Sequence, residues 1–149
     1  MAPADRRSRP PLSRDDIVAA AVALADEGGI GAVSMRKVAA ELDVEAMSLY
    51  HHVANKEDLL DGMVDAVMAE FEIPTEAADW REALRHRSHA ARASLRRHPW
   101  AIALLGSRTS PGLATLHHHD AVIGVLRRGG FSVVGAAHAF ALLDASLYG

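Results

Sequence analysis

The strongest constraint on this chain is a pair of helical segments too short to stand alone. Behind Ser34, a residue able to cap a helix, Met35, Val38, Ala39 and Leu42 fall at i, i+3, i+4 and i+7. A helix of that length is unstable in water unless its neighbours cover the apolar stripe. Asp43-Val44 can make a tight turn, and the next segment, from about Glu45 to His52, commits only Val44, Leu49 and Val53 to a core. The flanks supply the cover. Ser13, followed three residues later by Asp16, is a capping-box start, and Ile17, Ala21 and Leu24 repeat at helical spacing until Gly28-Gly29. Asn55, with Asp58 three residues on, opens a further helix with Leu60, Val64, Val67 and Phe71 along one face, which Pro74 is expected to end. Two short helices joined by a tight turn and braced on both sides form an arrangement in which the second can enter a DNA major groove.

The remaining pattern is also helical. Half of the residues are apolar but only 5% are aromatic, and alanine is the commonest residue, which favours close-packed helices over sheet. A fifth helix is predicted over Asp79 to His98 with Trp80, Leu84, Ala91 and Leu95 inward, and Pro99 suits the first turn of a sixth. After a loop over 106–112, a seventh runs from about Leu113 to Arg128 and is capped by Gly129-Gly130; Ser132 opens an eighth. The expected fold is all-α. Residues 1–12, with Arg6, Arg7 and Arg9, read as a flexible basic arm, and the arginines up to Arg14 outnumber the single acid Asp5 before the first helix. Residues 13–60 read as a three-helix DNA-binding domain, helix four (about 56–72) as the link, and 73–149 as a second helical domain.

Composition excludes several functions. With no cysteine there is no disulfide framework and no thiolate metal site, which fits a reducing cytoplasm. The apolar run at 17–25 is led in by Asp15 and Asp16 rather than by basic residues, and no apolar stretch is long enough to span a bilayer, so a soluble cytoplasmic protein without a membrane partner is expected. No P-loop, G-x-S-x-G motif, framed carboxylate pair or triad signature is present, which argues against an enzyme and gives no reason to expect a cofactor. A helical interaction module would account for the second half of the chain and leave the first unexplained.

Local chemistry points to nucleic acid. Arg36 and Lys37 lie in the first turn of helix two and Lys56 in that of helix four, where the macrodipole disfavours cations and a phosphate would compensate. The short third segment turns outward Glu45, Ala46, Met47, Ser48, Tyr50, His51 and His52, several of them short or hydrogen-bonding groups suited to base edges and phosphates. Charge adds no support, because residues 34–60 hold three Lys/Arg and five Asp/Glu.

The stretch LSRDDIVAAAVALADEGGIGAVSMRKVAAELDVEAMSLYHHVANKEDLL resembles the DNA-binding domain of tetracycline-repressor (TetR) family regulators across about residues 12–71. The resemblance lies in a Gly-rich turn, a hydroxyl residue opening helix two, a V-x(4)-LY recognition segment and an N-K-acid-x-LL start to helix four. It implies a homodimeric regulator, a repressor by preference, that binds double-stranded operator DNA and is released by a small-molecule effector. It also implies that Ser34, Arg36, Ser48, Tyr50, His51 and Lys56 contact the operator. Glu45, Ala46 and Met47 stand where the family more often has small or polar residues, so the bases read do not carry over. A Trp opening helix five, GSR at 106–108 and GGFS before helix eight resemble the tetracycline repressor's own branch. Leu104 and the Phe71-Glu72 region replace that branch's magnesium–tetracycline histidines, so neither tetracycline nor magnesium is expected.

In the second half, His86 and His89 are spaced i, i+3 and His117, His118 and His119 are consecutive, but three consecutive helical residues point about 100° apart and cannot converge on one ion, so no metal site is predicted. Residues 61–82 hold seven acids against Arg81, whereas 83–119 hold six arginines and no acid, a partition read as complementary packing and solvated faces. Arg85, Arg92 and Arg96 share a face that could meet an anionic effector. An effector pocket is expected to draw on Trp80, His89, Trp100, Leu104, Ser107 and Phe140, the bulky and polar groups of an alanine-rich bundle. Helix eight is apolar on several faces, which predicts that the native protein continues past Gly149 or that another copy covers this surface. The resemblance implies a dimer interface built from this helix and a later one.

Overall fold

The computed structural model describes residues 10–77 and 79–148, so the arm arginines Arg6, Arg7 and Arg9 lie outside the described residues. The elements are α1 (Arg14–Gly28), a 3-10 turn (Ile30–Ala32), α2 (Met35–Glu41), α3 (Ala46–Leu49), α4 (Lys56–Met68), α5 (Trp80–Arg97), α6 (Ala101–Leu105), α7 (Leu113–Arg128) and α8 (Val133–Tyr148), with no strand among the described residues.

Local signals account for most boundaries. The Ser13 side chain accepts the Asp16 N–H while the Asp16 carboxylate accepts the Ser13 N–H, a complete capping box. Ser34, Asn55 and Asp79 cap α2, α4 and α5 through their side chains. Asp43 takes a positive φ of 53° in the turn between α2 and α3, a conformation that Asp tolerates better than most residues. Two helices are shorter than the pattern suggests. The α3 helix stops at Leu49, and the expected continuation to His52 is a turn closed by the His52 N–H on the Leu49 carbonyl. The α4 helix stops at Met68, well before Pro74, because Ala69, Glu70 and Phe71 fold into a tightening turn; Phe71 is buried all the same.

One apolar core joins α1 to α4 through Ile17, Ala21, Val38, Leu49, Val53, Leu59, Met63 and Val67, and extends into Leu95, Trp100 and Ala101. A second packs Ala83 and Leu84 of α5 on Val122, Val125 and Leu126 of α7 and Ala136 of α8. Helix α4 ties the two halves together. It also supplies the missing cap of α7, whose N-cap residue Gly112 has no side chain to offer: the Asp65 carboxylate accepts the N–H groups of Ala114 (3.2 Å) and Thr115 (2.8 Å) and the Thr115 hydroxyl (2.8 Å). A Cβ at Gly112 would fall on that carboxylate. Gly112→Ala is therefore expected to displace the cap and lower stability by about 0.5–2 kcal/mol in urea unfolding; unchanged stability would show that Asp65 is not needed there.

Candidate nucleic-acid interface and cavity

The short helices present their polar groups on one side and their anchors on the other. Leu49 and Val53 are fully buried and pin α3 to the core. Around them Arg36, Lys37, Glu45, Met47, Tyr50, His51, His52 and Lys56 are exposed, and Ala46, Ser48 and Ser34 half-buried. The Ser34 hydroxyl oxygen is already occupied as acceptor of the Lys37 N–H (3.2 Å), so its part in any DNA contact is combined with capping.

The turn after α3 is held from behind. The Arg14 guanidinium makes a two-pronged pair with the Asp58 carboxylate (2.8 Å each) and reaches the carbonyls of His52 and Asp58, while Asp58 also accepts the Ala54 N–H. The Arg14 hydrogen bond, with that of Ala54, holds the Asp58 carboxyl below the usual carboxylate range. Arg14 is thus committed to α4 and adds no free charge to the N-terminal arm. On the same helix Arg108, of the GSR sequence, donates to Asp61 (2.6 Å) and to the Glu57 side chain (2.8 Å) and carbonyl. The acids of α4 therefore face arginines from two directions, one in α1 and one in the loop after α6.

At the other end of α4 a second polar cluster joins three helices. The buried His98 ring lies between Asp26 of α1 (Nδ1, 2.7 Å) and Glu70 beyond α4 (Nε2, 3.2 Å), and the Trp100 N–H shares the same Asp26 oxygen (2.7 Å). Burial would raise the Glu70 carboxyl, but hydrogen bonds from Ser94, Arg97 and His98 outweigh it and hold the group low.

Between α4, the loop after α6, α7 and α8 lies a cavity of about 230 Å³, lined by Asp61, Val64, Met68, Leu105, Arg108, Ser110, Pro111, Gly112, Thr115, His119, Asp144 and Tyr148. Behind Asp144, the fully buried Arg87 donates from Nη2 to the Asp144 carboxylate (2.6 Å) and from Nε to His118 Nε2 (3.1 Å), and Nη1 meets no partner among the described residues. Burial, the Arg87 charge and His119 push the His118 imidazole down to about 4, so it is neutral near pH 7; burial and the Asp144 charge push the Tyr148 phenol up to about 12.

The six residues expected around an effector are dispersed. Trp80 packs edge-on against Phe131 and under Arg81 near the end of α7, His89 and Ser107 are exposed, Trp100 is buried on Asp26, and Leu104 is half-buried against the first core. Only Phe140 approaches the cavity, through an edge contact with His119. Arg85, Arg92 and Arg96 are solvated, while Arg97 and Arg108 pair with acids of the α4 region. Of the consecutive histidines, His117 is exposed, His118 buried and His119 half-buried. Sequence reasoning missed Arg87, Asp144 and Tyr148. A usable signal existed for Arg87, which sits three residues after Leu84 and four before Ala91, in register with the inward face of α5.

An exposed helix-turn-helix is thus joined by one helix to a helical bundle that carries a cavity, the architecture of a two-part DNA-binding regulator. Residues 17–63 match the family of bacterial regulatory proteins, tetR family, and residues 73–149 the tetracyclin repressor-like C-terminal domain; the chain belongs to the tetR family. An HTH-type transcriptional regulator of Saccharopolyspora erythraea is 40% identical over 126 residues, covering 84% of this chain and 53% of its own length. The HTH-type transcriptional repressor DrrR1 of Streptomyces coeruleorubidus is 36% identical over 146 residues, covering 97% and 54%. The chain thus spans about half the length of these relatives. Among solved structures, ActR of Streptomyces coelicolor in complex with actinorhodin superposes with a TM-score of 0.85 at 31% identity over 94% of this chain and 66% of its own. BioQ bound to its double-stranded DNA operator gives 0.76 at 27% identity over 93% and 87%. None of the described helices is long and apolar enough to cross a membrane.

Proposed function

We propose that this protein is a ligand-responsive transcriptional repressor of the cytoplasm that binds a pseudo-palindromic operator as a homodimer and leaves it when a small molecule fills the cavity beside α4. The observation that carries the reading is the exposed face of α2, α3 and the start of α4, where Arg36, Lys37, Ser48, Tyr50, His51, His52 and Lys56 surround a one-turn helix anchored by Leu49. Cations and hydroxyls at the edges suit phosphates, and α3 itself suits a major groove. The repressor DrrR1 and the operator-bound BioQ support the DNA half of the reading; ActR with actinorhodin supports the ligand half. The cavity offers apolar walls with a few polar groups (Thr115, His119, Asp144, Tyr148), and its lining residues Arg108 and Thr115 bond to Asp61 and Asp65 of α4, so occupancy would be felt by the helix that carries Lys56. Exposed Val133, Val134 and Leu142 on α8 suit a second copy.

The test is operator selection from a random DNA pool followed by binding measurements on the recovered sites. Half-sites should lie roughly 34–36 Å apart, one helical turn, or slightly more. Lys56→Ala and Tyr50→Phe are expected to weaken binding on all sequences alike, with Lys56→Ala lowering the salt slope by about one, and Ser48→Ala to change preference at particular base pairs. Recovery of no enriched sequence at low salt would refute operator binding, and uniform loss for Ser48→Ala would reassign that residue to the DNA backbone.

A further inference from the structure

Met47 is 74% exposed on α3, beside Tyr50 at 46%, while the opposite side of the same turn buries Leu49 completely. A large apolar side chain held out in water on a one-turn helix has no packing role in the fold. Its surroundings are not those of a protein-docking patch: the elements on either side carry the exposed cations Arg36 and Lys37 of α2 and Lys56 of α4, and the half-buried neighbours Ala46 and Ser48 are small. Glu45 precedes α3, is exposed, and makes no capping bond to it; a carboxylate there is repelled by phosphates, which favours placing this end of α3 over base edges rather than over the DNA backbone.

We infer that Met47 is a specificity-determining residue that reads a thymine through its C5-methyl group in the operator half-site. The inference rests on the operator-binding reading above. Among the groups that base pairs expose in the major groove, the thymine methyl is the one large apolar group; guanine, adenine and cytosine offer there chiefly donors and acceptors. A thioether laid over those groups would strip them of water and return at most a weak acceptor to an amino group and no donor to a ring nitrogen or carbonyl, so T is favoured by contact and the other bases are penalised by desolvation. The neighbouring Ala46 has no polar group to override this choice, and the hydrogen-bonding residues Ser48 and Tyr50 lie further along the chain.

The experiment isolates one methyl group. Operators recovered with the intact protein are resynthesised with uracil in place of each thymine in turn, and affinities are compared for the parent protein and Met47→Ala. The site being exposed, the variant folds as the parent does, which a thermal melt verifies. One thymine position per half-site is expected to lose about four-fold in affinity on replacement by uracil, the worth of burying one methyl group, and Met47→Ala is expected to be indifferent to the same replacement. Cytosine at that position should bind weakly, and 5-methylcytosine should recover part of the loss. Operator binding with no uracil-sensitive position, or equal sensitivity in Met47→Ala, overturns the assignment while leaving operator binding intact. Absence of any bound DNA overturns both.

Discussion

Asp144→Ala is expected to lower folding stability by about 3 kcal/mol, near the low end of what removing one member of a buried ion pair costs, because it strands a charge rather than deleting one. The Arg87 side chain is 1% exposed, its Nη2 donates to Asp144 at 2.6 Å, and Nη1 already lacks a partner among the described residues. Without Asp144 only the His118 bond would remain among those that hold the guanidinium at Nε and Nη2. The Asp144 side chain is 23% exposed and can be hydrated in the folded protein, so the reverse substitution, Arg87→Met, is expected to be milder, by about 1–2 kcal/mol. The double variant Arg87→Met with Asp144→Leu should come closest to the parent. Urea unfolding midpoints decide the order. Asp144→Ala milder than Arg87→Met would mean that the guanidinium finds water or another acceptor inside the bundle.

Stability is also expected to fall on mild acidification, through His118. Its imidazole binds a proton near 6.5 in the unfolded chain and only near 4 in the folded one, chiefly because of burial and then because of Arg87 and His119. Between those values the unfolded state holds more protons, so stability rises with pH there; the contribution is complete above about 6.5 and is lost as pH falls toward 4. A separation of that size is worth about 3 kcal/mol. Asp58 and Glu70, both held below the ordinary carboxylate range, add a second loss in a lower window: their contribution is present above the unfolded pKa and disappears as pH falls through the folded one. His118→Gln, which keeps an acceptor for Arg87, should flatten the curve between pH 4.5 and 6.5 and leave the lower limb in place. Unfolding free energies across pH 2–8 for both proteins provide the check, and a parent curve already flat above pH 4.5 would contradict a buried neutral His118.

Features set within a few residues are legible from the amino-acid order alone. Ser13, Ser34, Asn55 and Asp79 each satisfy an N–H of their own helix, Gly29 ends α1 with a φ of 78°, and the spacing around Leu49 says which side of α3 is buried. These are legible because the competing partners lie one turn away, and the period of the apolar residues chooses between the faces. The outward set from Arg36 to Lys56 follows as the remainder.

Which charges meet depends on the packing of distant helices. Arg14 with Asp58, Arg108 with Asp61, and Arg87 with Asp144 are separated by 44, 47 and 57 residues, and Asp65 caps a helix that begins some fifty residues later. An acid-rich stretch followed by an arginine-rich one indicates that pairing occurs; many pairings of those charges are equivalent along the chain, and only the helix crossings select among them. The cavity follows the same logic. The sequence marks Trp100 and Leu104 as bulky groups of an alanine-rich bundle, but not that Trp100 is spent on Asp26 of α1 and Leu104 on the first core while Asp144, Tyr148 and His119 border the space beside α4. A helix face is a property of local spacing, whereas the hollow between faces depends on how four helices cross.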